Sequence, residues 1–217
     1  MTQHETAVIF DLDGTLVDNR ASFHQAYAVF AARHPDLFRT DSTADEEALV
    51  GFYRSGFDRA HYDALWKERQ GGRPIPYGAL REEWAMTYAD NALPFPFAKD
   101  VLCYLRERGC RIGLLTNGNS LRQWAKIHSS GLYPYFDDIV VSGDYPFEKP
   151  DPAIYRLSLS HLGARAEEAL FVGDTVETDI LGANRAGIRS LWLSKRSDNP
   201  ANATYVAPDV TFLKTLY

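Results

Sequence analysis

The sequence predicts an α/β fold: a Rossmann-like, three-layer core built on a parallel sheet, with an inserted all-helical module. Two observations favour it. From residue 98 onward, short apolar runs alternate with helical segments, which is the pattern of βαβ units. Before that point, a long segment separates the first apolar run from the second and carries only helical patterns. A connection of that length and character indicates an inserted module rather than a loop.

The predicted strands are short apolar runs bounded by turn residues. Such unbroken runs are typical of strands that are buried on both faces of a parallel sheet. They are 6–11, Arg111–Leu115, Ile139–Val141, Ala169–Val172 and Ser190–Leu193. The helical segments between them each lead into a glycine, the residue favoured in a left-handed helix cap. These segments are Ala98–Arg108, Leu121–Ser129, Pro152–Leu162 and Ile180–Ala186, and the glycines are Gly109, Gly131, Gly163 and Gly187.

The inserted module defines the predicted domains. Residues 1–18 and 94–217 form the α/β core, and residues 19–93 form a helical cap. The cap is rich in aromatic side chains at helical spacing, which we interpret as helix packing rather than a binding site. These aromatics are Phe23, Tyr27, Phe30, Phe52, Tyr53, Phe57, Tyr62, Trp66, Trp84 and Tyr88.

Composition narrows the class of protein. The formal net charge of −6 argues against binding to a nucleic-acid polymer, which requires basic patches. No run reaches the ~18 apolar residues of a membrane span, and the first five residues lack a signal-peptide pattern. The two cysteines, Cys103 and Cys110, are too few for a disulfide scaffold. We therefore expect a cytoplasmic monomer or homodimer with no membrane partner.

Asp11 and Asp13 follow the first predicted strand, in the run Asp11-Leu12-Asp13-Gly14-Thr15. Two carboxylates this close raise each other's pKa unless a cation compensates them. The pattern is therefore typical of a divalent metal site or of nucleophilic chemistry. Considered alone, the pair is also compatible with an ordinary turn, because Asp and Gly are common turn residues.

Three further polar motifs fall near the ends of other predicted strands. They are Thr116-Asn117-Gly118-Asn119, Glu148-Lys149-Pro150-Asp151 and Gly173-Asp174 with Asp179. Each has an ordinary structural explanation: a lysine such as Lys149 is usually exposed, Asp174 suits a helix cap, and Asp179 suits a helix surface. Ligands of open parallel sheets bind beyond the carboxyl ends of the strands. The four motifs together therefore indicate one site.

The order DxDGT, strand-end Thr, Lys-Pro and GDxxxxD resembles the haloacid dehalogenase superfamily of hydrolases, over essentially the whole chain. The helical insertion is similar to the first cap class of that superfamily. The resemblance implies that Asp11 is a nucleophile and Asp13 a general acid and base. It also implies that Thr116 and Lys149 bind a phosphoryl group and that Asp174 is a Mg²⁺ ligand supported by Asp179. The metal would also take the Asp11 carboxylate and the Asp13 main-chain carbonyl, and the Asn117 main-chain amide is suited to a phosphate oxygen.

The function implied is Mg²⁺-dependent hydrolysis of a small phosphorylated metabolite through an aspartyl-phosphate. Similarity to the nucleotidase-like branch implies a nucleotide or a sugar phosphate. Three alternatives stay open: a phosphomutase, a 2-haloacid dehalogenase and a non-catalytic binding protein. A halide leaving group needs neither a proton nor a metal, so Asp13 and Asp174 favour phosphate chemistry. A phosphonatase would use a cap lysine, and the cap contains one, Lys67. Candidate substrate contacts in the cap are Arg20, His24, Arg54, His61 and Arg73.

Overall fold

The computed structural model describes residues 6–67, 74–196 and 198–217. The chain divides into two compact units: one combines the chain up to Asp18 with Pro94–Tyr217, and the other is Asn19–Leu93. Among the described residues, no helix has the length and apolar character that crossing a membrane requires.

The second unit is helical, and its core is aromatic. Its helices are α1 Asn19–Arg33, α2 Thr43–Arg54, α3 Arg59–Lys67 and α4 Tyr77–Asp90. The aromatic residues of the sequence pattern all belong to one packed cluster, with Tyr53 and Trp66 partly buried at its edge. Phe23 stacks on Tyr88 with ring centroids 4.1 Å apart, and buried Trp84 donates its Nε1 hydrogen to the Leu49 carbonyl. The interpretation of these aromatics as helix packing is confirmed.

The first unit contains a parallel six-stranded sheet within the described residues. Its strands are β1 Ala7–Phe10, β2 Arg111–Thr116, β3 Asp138–Val141, β4 Ala169–Gly173, β5 Arg189–Leu193 and β6 Tyr205–Ala207. Their spatial order is β3-β2-β1-β4-β5-β6. Every residue of β1 is completely buried, as expected for a central strand that is covered on both faces. The predicted α/β fold class is confirmed.

Helices connect these strands. They are α5 Ala98–Glu107, α6 Ser120–Ser129, α7 Pro152–Leu162 and α8 Gly182–Arg185, the last preceded by a π-helical turn, Val176–Leu181. The apolar face of α7 packs through Ile154 and Tyr155 into the same core as Ile9 and Phe171. This packing fixes the strands whose carboxyl ends carry the polar motifs.

One predicted helix is shorter in the structure, and one strand was not predicted. The helix expected over Ile180–Ala186 is only α8, because the preceding segment widens into the π-helical turn. There the side chain of Asp179 turns inward and accepts the Thr175 main-chain N–H at 2.9 Å, and the Tyr155 hydroxyl donates to the Thr178 carbonyl. Strand β6 is absent from the prediction because three partly apolar residues at a sheet edge leave no distinctive run.

Candidate active site

The polar motifs meet at the carboxyl end of the sheet. Asp11 follows β1, Asp174 follows β4, and Thr116 is the last residue of β2. Strand β1 lies between β2 and β4, which is the position where the chain order of a doubly wound sheet reverses. A crevice forms at such a reversal, because the connections leave the central strands in opposite directions. The sheet topology therefore explains why residues distant in sequence are neighbours here.

Lys149 joins two aspartates at the centre of the site. Its Nζ lies 2.7 Å from Asp11 Oδ1 and 2.8 Å from Asp179 Oδ1. All three residues are buried: Lys149 is 3% exposed, Asp11 7% and Asp179 1%. A buried lysine is tolerated only when it is paired. Lys149 and Asp179 therefore belong to the site. The exposed position that the sequence allows for each of them, considered alone, is not observed.

Burial and charge set the ionisation of this group. Burial raises the pKa of Asp11 to about 7, with Lys149 opposing the rise and Asp179 adding to it. Burial alone would lower the pKa of Lys149, but Asp11 and Asp179 outweigh it and raise that pKa above its ordinary value. The lysine is therefore a fixed cation, and the site still carries more negative than positive charge.

Asp174 completes an acidic cluster with Asp11 and Asp179. One carboxylate oxygen from each of the three lies within 4.8 Å of the others. Burial raises the pKa of Asp174 to about 6, and the charge of Asp179 contributes to the rise. Carboxylate oxygens are the hard ligands that Mg²⁺ prefers, usually one or two from protein with the remainder from water and phosphate. The donor set and its unfavourable charge therefore fit a divalent cation.

Gly14 allows the loop after β1 to approach this cluster. A Cβ at Gly14 would lie 2.4 Å from Asp174 Oδ2, and its φ of +83° is one that side-chain-bearing residues seldom adopt. Trp192 of β5 donates its Nε1 hydrogen to the Asp174 main-chain carbonyl at 3.0 Å. Gly14 therefore leaves room for the Asp174 carboxylate, and Trp192 holds the Asp174 main chain.

Asn117 has a contact that sequence reasoning did not assign. Its Nδ2 donates to the Lys149 carbonyl, and its Oδ1 accepts the Lys149 main-chain N–H, both at 2.8 Å. This paired contact resembles a short piece of strand pairing and fixes the backbone from which Lys149 extends. The side chain of Asn117 thus holds Lys149, while the predicted contact of its main-chain N–H with phosphate stays a prediction.

Sequence reasoning missed two further residues, Gln123 and Lys126 of α6. Lys126 Nζ lies 2.9 Å from both carboxylate oxygens of Asp13. Gln123 Nε2 lies 3.0 Å from Asp13 Oδ2 and 2.6 Å from Thr116 Oγ1. The available signal was weak: both positions share a helix face with apolar Ile127, where a lysine and a glutamine are unexpected. The side chain of Asp13 therefore points to α6, and the acidic cluster contains Asp179 in its place.

Three of the candidate substrate contacts in the helical unit, His24, His61 and Arg54, have partners within that unit. His24 Nδ1 lies 3.0 Å from Glu46, His61 pairs with Asp58 at 2.8 Å, and the Arg54 guanidinium lies 5.5 Å from the centre of the Phe23 ring. Arg20 belongs to α1. Arg73 lies outside the described residues.

Comparison with known proteins assigns the family. Residues 5–187 match the model of the haloacid dehalogenase-like hydrolases. Glyceraldehyde 3-phosphate phosphatase of Methanopyrus kandleri is 33% identical over 192 residues, covering 84% of this chain and 81% of that protein. Phosphoserine phosphatase of Thermus thermophilus is 34% identical over 166 residues, covering 76% of this chain and 66% of the relative.

A solved structure shows the same fold. The HAD-hydrolase YfnB of Bacillus subtilis, crystallised with magnesium, superposes with a TM-score of 0.78 at 24% identity, over 98% of each chain. The chain therefore belongs to the haloacid dehalogenase-like hydrolases and is a phosphatase of that superfamily, a hydrolase of phosphoric monoesters.

Proposed function

We propose that this protein is a Mg²⁺-dependent phosphatase of small phosphorylated metabolites that acts through an aspartyl-phosphate on Asp11. The observation that carries the proposal is the placement of the buried Asp11 carboxylate. It accepts a hydrogen bond from Lys149 at one oxygen and lies in the acidic cluster with Asp174 and Asp179. Asp11 is therefore a fixed carboxylate within a donor set that fits a divalent cation.

Asp11 attacks phosphorus in the first step of the proposed reaction. A bond forms between a carboxylate oxygen of Asp11 and phosphorus, and the bond from phosphorus to the ester oxygen breaks. Asp13 gives its proton to that oxygen, so the leaving group departs as an alcohol. In the second step Asp13 accepts a proton from water as the water attacks the aspartyl-phosphate. Covalent catalysis of this kind divides one difficult displacement into two easier ones.

Cationic and hydrogen-bonding groups lower the cost of bringing the Asp11 carboxylate to a phosphate dianion. The Lys149 ammonium supplies a permanent positive charge at the attacking residue. The Thr116 hydroxyl lies at the end of β2 and the Asn117 main-chain N–H directly after it, in the segment that leads into α6. Donors placed before a helix start suit phosphate oxygens. Bound Mg²⁺ would neutralise phosphoryl charge and orient the group for in-line attack. Asp11, Asp174 and the Asp13 main-chain carbonyl are its proposed ligands, with Asp179 in support.

For the substrate, we propose a compact phosphorylated metabolite. The relatives are named for glyceraldehyde 3-phosphate and phosphoserine, which are both three-carbon monoesters. Sugar phosphates and nucleotides are the wider class that the sequence resemblance implies. The helical unit is the proposed cap, and its cationic side chains are the candidates for contacts with the part of the substrate beyond the phosphate.

Phosphate release tests the proposal. Purified protein is assayed with glyceraldehyde 3-phosphate, phosphoserine, a nucleoside monophosphate and an aryl phosphate, with Mg²⁺ or with EDTA. We expect turnover with Mg²⁺ only, and its loss in Asp11→Asn. Asp90→Asn, at an exposed position of α4, is the matched control and should keep wild-type activity.

Three results would contradict the proposal. Activity of Asp11→Asn within tenfold of wild type would show that Asp11 is not the nucleophile. Halide release from a 2-haloacid without Mg²⁺ would indicate a dehalogenase. Transfer of phosphate between positions of a sugar, with little release to water, would indicate a mutase.

A further inference from the structure

Lys126 and Asp13 form a two-point ion pair on the inner face of α6. The Lys126 ammonium donates to both oxygens of the Asp13 carboxylate at 2.9 Å. The two side chains differ in exposure, at 4% for Lys126 and 29% for Asp13. One side of the Asp13 carboxylate is therefore held from within the protein, while part of the group remains open to the site.

Contact with both oxygens fixes orientation as well as position. A single hydrogen bond would leave the carboxylate free to rotate about its bond to Cβ, whereas two contacts to one ammonium restrict that rotation. Gln123 adds a third contact, from Nε2 to Asp13 Oδ2 at 3.0 Å, and joins it to Thr116 Oγ1 at 2.6 Å. Gln123 thus links the Asp13 carboxylate to the hydroxyl of Thr116, the residue proposed to bind phosphate.

Burial of the Lys126 ammonium has a cost that simple packing does not explain. Its neighbour Ile127 is completely buried, and an aliphatic side chain at 126 would satisfy this helix face without removing a charge from water. The presence of a lysine at position 126 is therefore best explained by its ion pair with Asp13.

We propose that Lys126 is a positioning residue for proton transfer by Asp13, an inference that rests on the proposed phosphatase function. In the first step the proton leaves the Asp13 carboxyl for the ester oxygen as the bond to phosphorus breaks. Negative charge then develops on Asp13, and the two Lys126 contacts stabilise it in the orientation from which the proton left. Lys126 keeps all its own protons. In the second step the same orientation presents Asp13 to the attacking water.

A double-mutant cycle tests this inference by its dependence on the leaving group. Wild type, Lys126→Met, Asp13→Asn and the double variant are compared in single-turnover phosphorylation by an aryl and by an alkyl phosphate. An aryl leaving group hardly needs a proton, whereas an alkoxide does. We expect Lys126→Met to lose at least about tenfold more rate on the alkyl ester than on the aryl ester. In the Asp13→Asn background it should have no further effect beyond about twofold, because residues that act through one another are not additive.

Further variants separate positioning from general damage. Lys126→Arg keeps a cation with several donors and should recover part of the alkyl-ester rate. Lys126→Gln replaces Lys126→Met in the cycle if the methionine variant does not fold. Lys99→Met, at an exposed position of α5, should show no dependence on the leaving group.

The outcomes distinguish the two proposals. If Asp13→Asn depends on the leaving group and the Lys126 variants lose rate equally on both esters, the positioning role is wrong and the phosphatase mechanism stands. Full additivity of the two substitutions would also overturn the positioning role. If wild type forms no phosphoenzyme with either ester, the proposed function itself fails.

Discussion

The side chain of Asn117 pairs with the main chain of Lys149 through two hydrogen bonds of 2.8 Å. The amide matches both the N–H and the carbonyl of one residue, and it does so just after β2, where Asn117 follows Thr116. This contact connects the loop after β2 to the segment that carries the buried lysine. Asn117 therefore helps to set the position of the Lys149 ammonium by holding the Lys149 main chain.

The substitution Asn117→Asp keeps the shape of this pair and removes one donor. We expect it to leave the Lys149 carbonyl facing a carboxylate oxygen, at a cost of about 1–3 kcal/mol, and to lower kcat about tenfold or more. Asn119→Asp is the matched control. Asn119 caps α6 by accepting the Arg122 N–H at 3.2 Å, a role that aspartate fills equally well. The measurements are kcat and the thermal unfolding temperature of both variants. Equal effects of the two substitutions would show that the Asn117 side chain does not position Lys149.

Lys149→Met should destabilise the protein as well as inactivate it. The substitution leaves Asp11 and Asp179 buried without their shared cation, and loss of one partner of a buried pair costs about 3–5 kcal/mol. Phosphatase activity should fall about a hundredfold or more, since a charge at the reacting centre is removed. Lys214→Met removes an exposed partner of Asp100 and should change stability by no more than about 1 kcal/mol. Urea unfolding of both variants is the measurement. A Lys149→Met protein as stable as wild type would contradict the stabilising role of the Lys149 ion pairs with Asp11 and Asp179.

Asp174→Asn should alter how the stability of the metal-free protein depends on pH. Burial raises the pKa of Asp174 to about 6 in the folded protein, from an ordinary 3.8, so folding favours the protonated carboxyl. Its contribution to stability is fully present below about pH 4 and is lost as pH rises through about 6. In EDTA, the melting temperature of Asp174→Asn should therefore increase relative to that of wild type as the pH rises from 4 to 7. Added Mg²⁺ should reverse the order at pH 7, because Asp174 is one of the proposed Mg²⁺ ligands.

The control for this experiment is Asp90→Asn, which removes one negative charge at an exposed position. A difference between Asp174→Asn and wild type that stays constant across this pH range would contradict the assignment. So would calorimetry that finds equal Mg²⁺ affinity in the two proteins.

Gly14→Ala should damage the acidic cluster through shape alone. Its Cβ would lie 2.4 Å from Asp174 Oδ2, at a backbone φ of +83°. We expect a loss of about 1–3 kcal/mol from the backbone strain and weaker Mg²⁺ binding as Asp174 is displaced. Gly78→Ala makes the same chemical change in α4, where a Cβ meets nothing within 4 Å. That control should be neutral or slightly stabilising, by about 0.4–1 kcal/mol. Calorimetric titration with Mg²⁺ compares the two.

The sequence predicts those parts of the molecule that short contiguous patterns determine. Buried parallel strands leave apolar runs, and the motifs at Asp11 and Asp174 follow those runs directly, so the fold class and the grouping of motifs could be predicted. The contact of Lys126 with Asp13 could not, because its partner depends on how α6 packs on the sheet. The π-helical turn was missed for a related reason: the inward contacts of Asp179 set the backbone there, not local helix propensity.

The central position of β1 also has a consequence for how the chain folds. Ile9 pairs with Gly113 of β2 on one side and with Phe171 of β4 on the other. Strand β1 can therefore pair only after β2 and β4, which lie much later in the chain, have been synthesised. Sheets held by such distant contacts form slowly, because long loops must close before pairing stabilises them. The aromatic cluster of the helical unit, in contrast, is drawn entirely from its own residues. During synthesis, Asn19–Leu93 can condense first, while β1, which leads into Asp11, is among the last elements whose neighbours are complete.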